Sequence, residues 1–181
     1  VDYVINTHLH FDHVGWNTQL IDKKWEPTFS KAEYIFPKKD FDYWINDPKG
    51  EMEDDLLGIK DSIMPVVEAN QHKLVDADYQ VTDGVKLIAT PGHTPGHVSI
   101  EVESNGEKAI IAGDLFYHPC QVTELDWTTE VDNDPNQVVK SRKKVFAEVA
   151  NRNTILLAAH TPTPIAGRVI TEAGAYKFQP L

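Results

Sequence analysis

Residues 8–13 read His8-Leu9-His10-Phe11-Asp12-His13, four metal-binding side chains within six positions. Two imidazoles two residues apart on an extended backbone point to the same side. Asp12 and His13, past the bend, can then turn toward a second ion. Further donors follow at intervals that only a folded sheet can bring together. They are His93 in Thr90-Pro91-Gly92-His93-Thr94-Pro95-Gly96-His97, Asp114 in Ala112-Gly113-Asp114, and His160 in Ala158-Ala159-His160-Thr161-Pro162. Each follows an apolar, strand-like run, and rigid strand ends are a common support for reactive side chains. Five histidines and two carboxylates suffice for two divalent transition metals, and neutral imidazole with carboxylate suits Zn, Mn, Fe or Co. Asp114 is the candidate bridge, because a carboxylate can serve two ions at once. The pattern points to metal-dependent hydrolysis.

The rest of the chain narrows the field. Its 181 residues allow one domain with a sizeable core, and 41% apolar with 25% charged residues is ordinary for such a domain. A net charge of −11 argues against a nucleic-acid partner, which requires clustered Lys and Arg. The acidic run from Glu51 to Asp55 reads as a solvated helix face. One cysteine, Cys120, excludes an internal disulfide or a Cys-based zinc ribbon and reads as a small, partly buried apolar side chain. No stretch approaches the length of a membrane span. The chain opens on Val1 and runs at once into a strand and the metal motif, so a preceding N-terminal part is expected. The expected location is cytoplasmic, with export left open. The expected partner is a small-molecule substrate; neither nucleic acid nor membrane is expected, and a homodimer is left open.

Val1 to Asn6 reads as a buried strand and His13 to Ile21 as a helix, followed by a strand at Glu33 to Phe36. A helix beginning at Pro37-Lys38-Lys39-Asp40 carries Phe41, Tyr43, Trp44 and Ile45, and a second runs from Glu51 to Asn70 with Pro65 dividing it. Strands then dominate, at Lys73 to Val75, Val85 to Thr90 and Val98 to Glu103. Asn105-Gly106 signals a hairpin returning through Ala109 to Ala112. Thr123 to Asn133 is polar and reads as a loop. Asp134-Pro135 opens an amphipathic helix to Asn151 with Val138, Val139, Val145, Phe146 and Val149 inward, and Thr154 to Ala159 is a last buried strand.

His-x-His-x-Asp-His at 8–13, Gly-His at 92–93, Gly-Asp at 113–114 and the late His160 occur in the order of the metallo-β-lactamase superfamily, which this chain resembles from residue 1 to about residue 170. The resemblance implies a mixed α/β (α+β) fold, a four-layer αβ/βα sandwich of two mixed sheets with helices outside, its first N-terminal strands missing here. It implies that one ion takes His8, His10 and His93, that a second takes Asp12, His13 and His160, and that Asp114 bridges them. Zinc is the expected metal. Within the superfamily, the acyl-homoserine lactonase group places a Tyr three residues after the bridging Asp, as Tyr117 follows Asp114. The methyl-parathion-hydrolase group, which acts on aryl phosphotriesters, is similar at residues 40–44, at the Ser141 to Ala147 helix and at Gly174 to Phe178.

The favoured expectation is a lactonase that opens the ester with a metal-bridging hydroxide, Tyr117 polarising the carbonyl and Asp12 relaying a proton. The alternatives are an aryl phosphotriester hydrolase and a non-catalytic metal-binding relative. A phosphotriester needs an aromatic pocket, for which Phe41, Trp44 and Phe116 are candidates, although core packing is the better reading of Phe41 and Trp44. Tyr117 is balanced between a catalytic role and that of a packed aromatic. His97 is read as a hydrogen-bonded structural residue, His118 carries no demand from its spacing, and His72 is read as exposed.

Overall fold

Parallel strand pairs, which need a crossover between their strands, lead into the His8–His13 loop, Asp114 and His160. The computed structural model describes residues 1–46 and 52–181. These divide into two units, Val1–Asp76 and Ala77–Leu181, each with its own core.

The first unit runs β1 (Tyr3–Ile5), α1 (Phe11–Val14), β2 (Thr18–Ile21), β3 (Lys24–Pro27), β4 (Glu33–Pro37), α2 (Lys38–Asn46), α3 (Glu53–Gly58), α4 (Met64–Glu68) and β5 (His72–Val75). Its sheet has the order β1-β4-β5, parallel throughout. The central strand β4 is a continuous apolar run, as a parallel strand covered on both faces should be. Tyr34, Ile35 and Phe36 are fully buried there. Leu9, Val14, Trp44, Ile63 and Val66 complete the core around Tyr34 and Phe36.

The helix expected over His13 to Ile21 is a single turn of α1, a 3-10 turn at Gly15–Asn17, and then the hairpin β2–β3. Its two-residue turn is Asp22-Lys23, with φ of 47° and 69°. Paired positive φ is the conformation that lets a hairpin close on two residues. Neither residue is a glycine, so the usual signal is missing. The helical stretch expected from Glu51 to Asn70 begins outside the described residues. It is α3, a π-helical turn at Ile59–Ile63, and α4, with Pro65 in the first turn of α4, where its missing N–H costs nothing. The acidic run is not a uniformly solvated face either, because Asp55 is 1% exposed.

The second unit runs β6 (Gln80–Thr82), β7 (Val85–Ala89), β8 (Val98–Ser104), β9 (Glu107–Ile111), α5 (Cys120–Thr123), α6 (Pro135–Val149), β10 (Thr154–Leu157), β11 (Ala166–Glu172) and β12 (Ala175–Pro180). Its sheet has the order β12-β11-β10-β9-β8-β7-β6, and only β9–β10 is parallel. Asn105-Gly106 closes β8 on β9 with φ of 52° and 78°. The C-terminal hairpin β11–β12 was not expected; its turn, Ala173-Gly174, repeats the paired positive φ at 51° and 83°.

Helix α6 is the crossover between β9 and β10. Asp134 caps it by accepting from Gln137 N at 3.0 Å, and Pro135 opens it. Its buried face carries Val138, Val145, Phe146 and Val149, the last three packed with Phe116, Leu156, Val169 and Phe178. Each such side chain contributes roughly 1.5–3 kcal/mol by leaving water. Val139, expected on that face, is only half-buried, whereas Ser141 and Arg142 are buried.

Candidate metal-binding residues

In the first unit the donors sit just past the end of β1, on a loop fastened by its backbone. Leu9 N donates to Asp40 Oδ2 at 2.9 Å, and Phe11 N donates to Asp55 Oδ1 at 3.1 Å. Both carboxylates are buried, at 0% and 1% exposure, and they grip the two residues interleaved with the donors His8, His10 and Asp12. Asn6 closes the loop by donating to the His13 carbonyl at 3.1 Å while accepting from Asn17 Nδ2 at 3.0 Å.

With the backbone held, the side chains converge. His8 Nε2 and His10 Nδ1 stand 3.1 Å apart, and the His8 and His13 rings lie 4.1 Å apart between centroids. Two nitrogens each ~2.05 Å from one tetrahedral ion would be about 3.3 Å apart. The His8–His10 pair therefore has the spacing of two ligands on one ion. His13 Nε2 lies 3.5 Å from Asp12 Oδ2.

In the second unit, sheet register does the positioning. Ile111 on β9 is paired with Leu157 on the parallel neighbour β10. Asp114 and His160 each come three residues after that pair, so both leave the sheet at the same edge. Asp114 Oδ2 lies 3.3 Å from His160 Nε2 and 3.5 Å from His93 Nε2. One carboxylate oxygen facing two imidazole nitrogens suits a bridging ligand. Imidazole and carboxylate donors of this kind fit divalent transition metals.

His93 sits on a turn that only glycine permits. Gly92 has φ of +136°, and a Cβ there would lie 2.1 Å from Val138 N. The turn is held from the start of α6: Asp134 N donates to the Gly92 carbonyl at 2.8 Å, Asn133 N to that of His93 at 3.0 Å, and Ser141 Oγ to that of Pro91 at 2.6 Å. His97 joins this turn to the Asp114 loop. Its Nδ1 lies 3.0 Å from the Thr90 carbonyl, which can only accept, and its Nε2 lies 3.0 Å from Asp114 N, which can only donate. The proton must therefore be on Nδ1. Both nitrogens are engaged, as the structural reading of His97 requires.

His93 Nδ1 meets Tyr117 OH at 3.0 Å and Asp132 Oδ1 at 3.3 Å. Tyr117 is half-buried, and its ring stacks on His160 with centroids 5.4 Å apart. Asp132 lay unnoticed in the polar stretch 123–133, yet its side chain has 0% exposure. Burial pushes its carboxyl pKa up, but hydrogen bonds from His93 and Thr129 outweigh this and hold it below the usual carboxylate value.

Arg142 is a second buried residue that the sequence does not mark. Its buried guanidinium donates to the carbonyls of Leu115 at 3.1 Å, Leu125 at 2.9 Å and Trp127 at 2.6 Å. Burial pulls its pKa down, against the carboxylate of Asp132, which raises it. No alternation or motif marks either residue; the signal is only an Arg on the apolar face of α6.

The aromatic candidates separate. Phe116 does not face a pocket: it is fully buried, packed on Phe146 at 5.5 Å and Phe178 at 6.1 Å. The residue alternates with Tyr117, and the apolar partner of such a pair goes to the core. Trp44 is 3% exposed in the first core, its edge against the His10 ring at 5.5 Å. Phe41 stacks between Phe36 and His72. His72, expected to be exposed, is thus half-buried; His118 is exposed, and its Nδ1 accepts from Cys120 N at 3.2 Å. No helix of the described residues is long and apolar enough to cross a membrane.

Residues 1–160, which include every donor, match the family model of the metallo-beta-lactamase superfamily. An N-acyl homoserine lactonase of Bacillus thuringiensis is 28% identical over 161 residues, covering 87% of this chain and 55% of that protein. The crystal structure of hydrolase AbOPH, in the beta lactamase superfamily, is similar with a TM-score of 0.84 and 29% identity, covering 100% of this chain and 64% of that one. AidC, a dizinc quorum-quenching lactonase, is similar in fold, with a TM-score of 0.83 and 23% identity over 100% of this chain and 64% of its own. The chain spans a third to about half the length of the curated lactonases it matches.

Proposed function

Because the chain belongs to the metallo-β-lactamase superfamily, we propose that it is a hydrolase dependent on two divalent ions, zinc by preference over Mn, Fe or Co. His8, His10 and His93 would hold one ion, Asp12, His13 and His160 the other, and Asp114 would bridge. The observation that carries this reading is the single Asp114 oxygen facing the His93 and His160 nitrogens. When bound, such a pair of ions activates water near neutral pH and polarises a carbonyl or phosphoryl oxygen.

The substrate class we favour is a lactone of the acyl-homoserine type. Support comes from Tyr117, whose hydroxyl lies against a donor histidine, and from the lactonases among the relatives. Tyr117 would donate to the carbonyl oxygen as charge develops there, and Asp12, exposed beside His13, would carry the proton to the leaving alkoxide. The burial of Phe116 and Trp44 favours core packing for two of the three aromatic candidates for a phosphotriester pocket.

The test is kcat/KM for an acyl-homoserine lactone and for an aryl phosphotriester on the metal-loaded full-length protein. A lactone preference that falls on the order of 10²-fold in Tyr117→Phe is the expected result. A phosphotriester preference indifferent to Tyr117→Phe would overturn the substrate assignment. Tight metal binding without turnover of either would leave the non-catalytic relative.

A further inference from the structure

We propose that Asp132 is a positioning residue for the site: it holds the proton of His93 on Nδ1, which turns the Nε2 lone pair toward the metal. This rests on reading His93 as a ligand. The argument is one of proton counting. A neutral imidazole has one N–H, and a ligating nitrogen must be the bare one. His93 Nε2 is the nitrogen facing Asp114 Oδ2, so Nδ1 must carry the hydrogen.

Two oxygens compete at Nδ1, Tyr117 OH at 3.0 Å and Asp132 Oδ1 at 3.3 Å. They are not equivalent. A carboxylate only accepts and therefore demands the proton on Nδ1, whereas a phenol can donate and so permits the opposite tautomer. If Tyr117 were the sole partner, its O–H could donate to Nδ1, the ring proton would shift to Nε2, and the hydroxyl would be spent on the histidine. With Asp132 in place, Nδ1 donates, Tyr117 can receive only a share of that N–H, and its own proton is directed elsewhere.

Asp132 is built for this task. Its side chain has 0% exposure, so water does not compete for it. Thr129 N donates to its other oxygen at 2.9 Å, and Asn133 N, next in the chain, donates to the His93 carbonyl at 3.0 Å. Carboxylate and imidazole are therefore held to each other through backbone as well as side chain. Arg142 anchors the preceding segment at Leu125 and Trp127 and places a buried positive charge that Asp132 favours. Partners of this kind behind ligating histidines change metal affinity by roughly 10- to 100-fold.

The experiment measures zinc affinity by competition with a chromophoric chelator, and the His93 tautomer by ¹⁵N ring correlations in the metal-free protein, for wild type, Asp132→Asn, Asp132→Ala and His93→Ala. Asn keeps the volume and an acceptor for Thr129, so it guards against a mere folding defect. The expected result is Nδ1–H in wild type, a shift toward Nε2–H in both Asp132 variants, since an Asn that accepts from Thr129 turns its NH2 donor onto Nδ1, and affinity lower by about 10- to 100-fold in both. Unchanged tautomer and affinity in both Asp132 variants, with His93→Ala weakened, would overturn the positioning role alone. If His93→Ala also bound zinc as wild type does, the ligand assignment beneath it would fall.

Discussion

The two units solve the same problem, holding imidazoles and carboxylates still, by different means. In the first, four donors share six residues, and the protein fixes them by gripping the backbone between them, through Asp40 on Leu9 N and Asp55 on Phe11 N. In the second, donors at 93, 114 and 160 have no local chain in common, and each needs its own anchor. Gly92 and the start of α6 hold His93, His97 holds the Asp114 loop, and the β9–β10 register places Asp114 with His160. A dense motif can be fixed once, through its main chain; dispersed donors must be fixed side chain by side chain. Damage to the second unit should therefore spread from packing into the site, whereas damage to the first should remain close to the loop.

Gly92→Ala is the harshest test of this contrast and should have the largest effect. The added Cβ would overlap the backbone of Val138 and require a strained φ. A loss of about 3 kcal/mol or more is expected in chemical denaturation, with the His93 turn displaced. Wild-type stability would show that the α6 contact is not what holds His93.

Asp40→Ala should come next, at about 1–3 kcal/mol, because it takes the acceptor from a buried N–H. It should weaken zinc binding, while Asp55→Asn, which keeps an acceptor for Phe11 N, should do less of both. If Asp55→Asn proved the more damaging in metal titrations, charge rather than backbone fastening would be the device in this unit.

The smallest effect is expected far from the donors, at Glu101, which pairs with Lys86 at 2.9 Å and Lys108 at 3.0 Å. Burial raises its pKa, but the two lysines outweigh that and leave it below its ordinary value of 4.5. A depressed carboxylate pKa stabilises the fold above the unfolded value and loses that contribution as pH falls through the folded one. Glu101→Gln should cost no more than about 1 kcal/mol at pH 7 and progressively less as pH falls below the ordinary carboxylate value of 4.5, with zinc affinity unchanged. A change in zinc affinity would mean that Glu101 and its lysine partners influence the donors after all.

Much of this organisation was legible from the residues. The dense cluster of candidate donors at 8–13, the Asn105-Gly106 hairpin and the Asp134-Pro135 helix start each depend on neighbours in the chain, and local chemistry announces them. The β2–β3 hairpin escaped because Asp22-Lys23 adopts a conformation usually advertised by glycine. Asp40, Asp55 and Asp132 escaped for a different reason. On a linear chain a carboxylate reads as solvated, and only a partner 31, 44 or 39 residues away makes its burial favourable.

Donor type and spacing thus pointed in advance to transition-metal chemistry, since the chemistry of imidazole and carboxylate travels with the residue. Which nitrogen of His93 or His97 carries the proton, whether Tyr117 can spend its own, and whether Phe116 lines a pocket or fills a core were decided by tertiary structure. Those properties belong to no single residue: a proton's position and a ring's burial are set by whichever groups the fold brings to the other side of it.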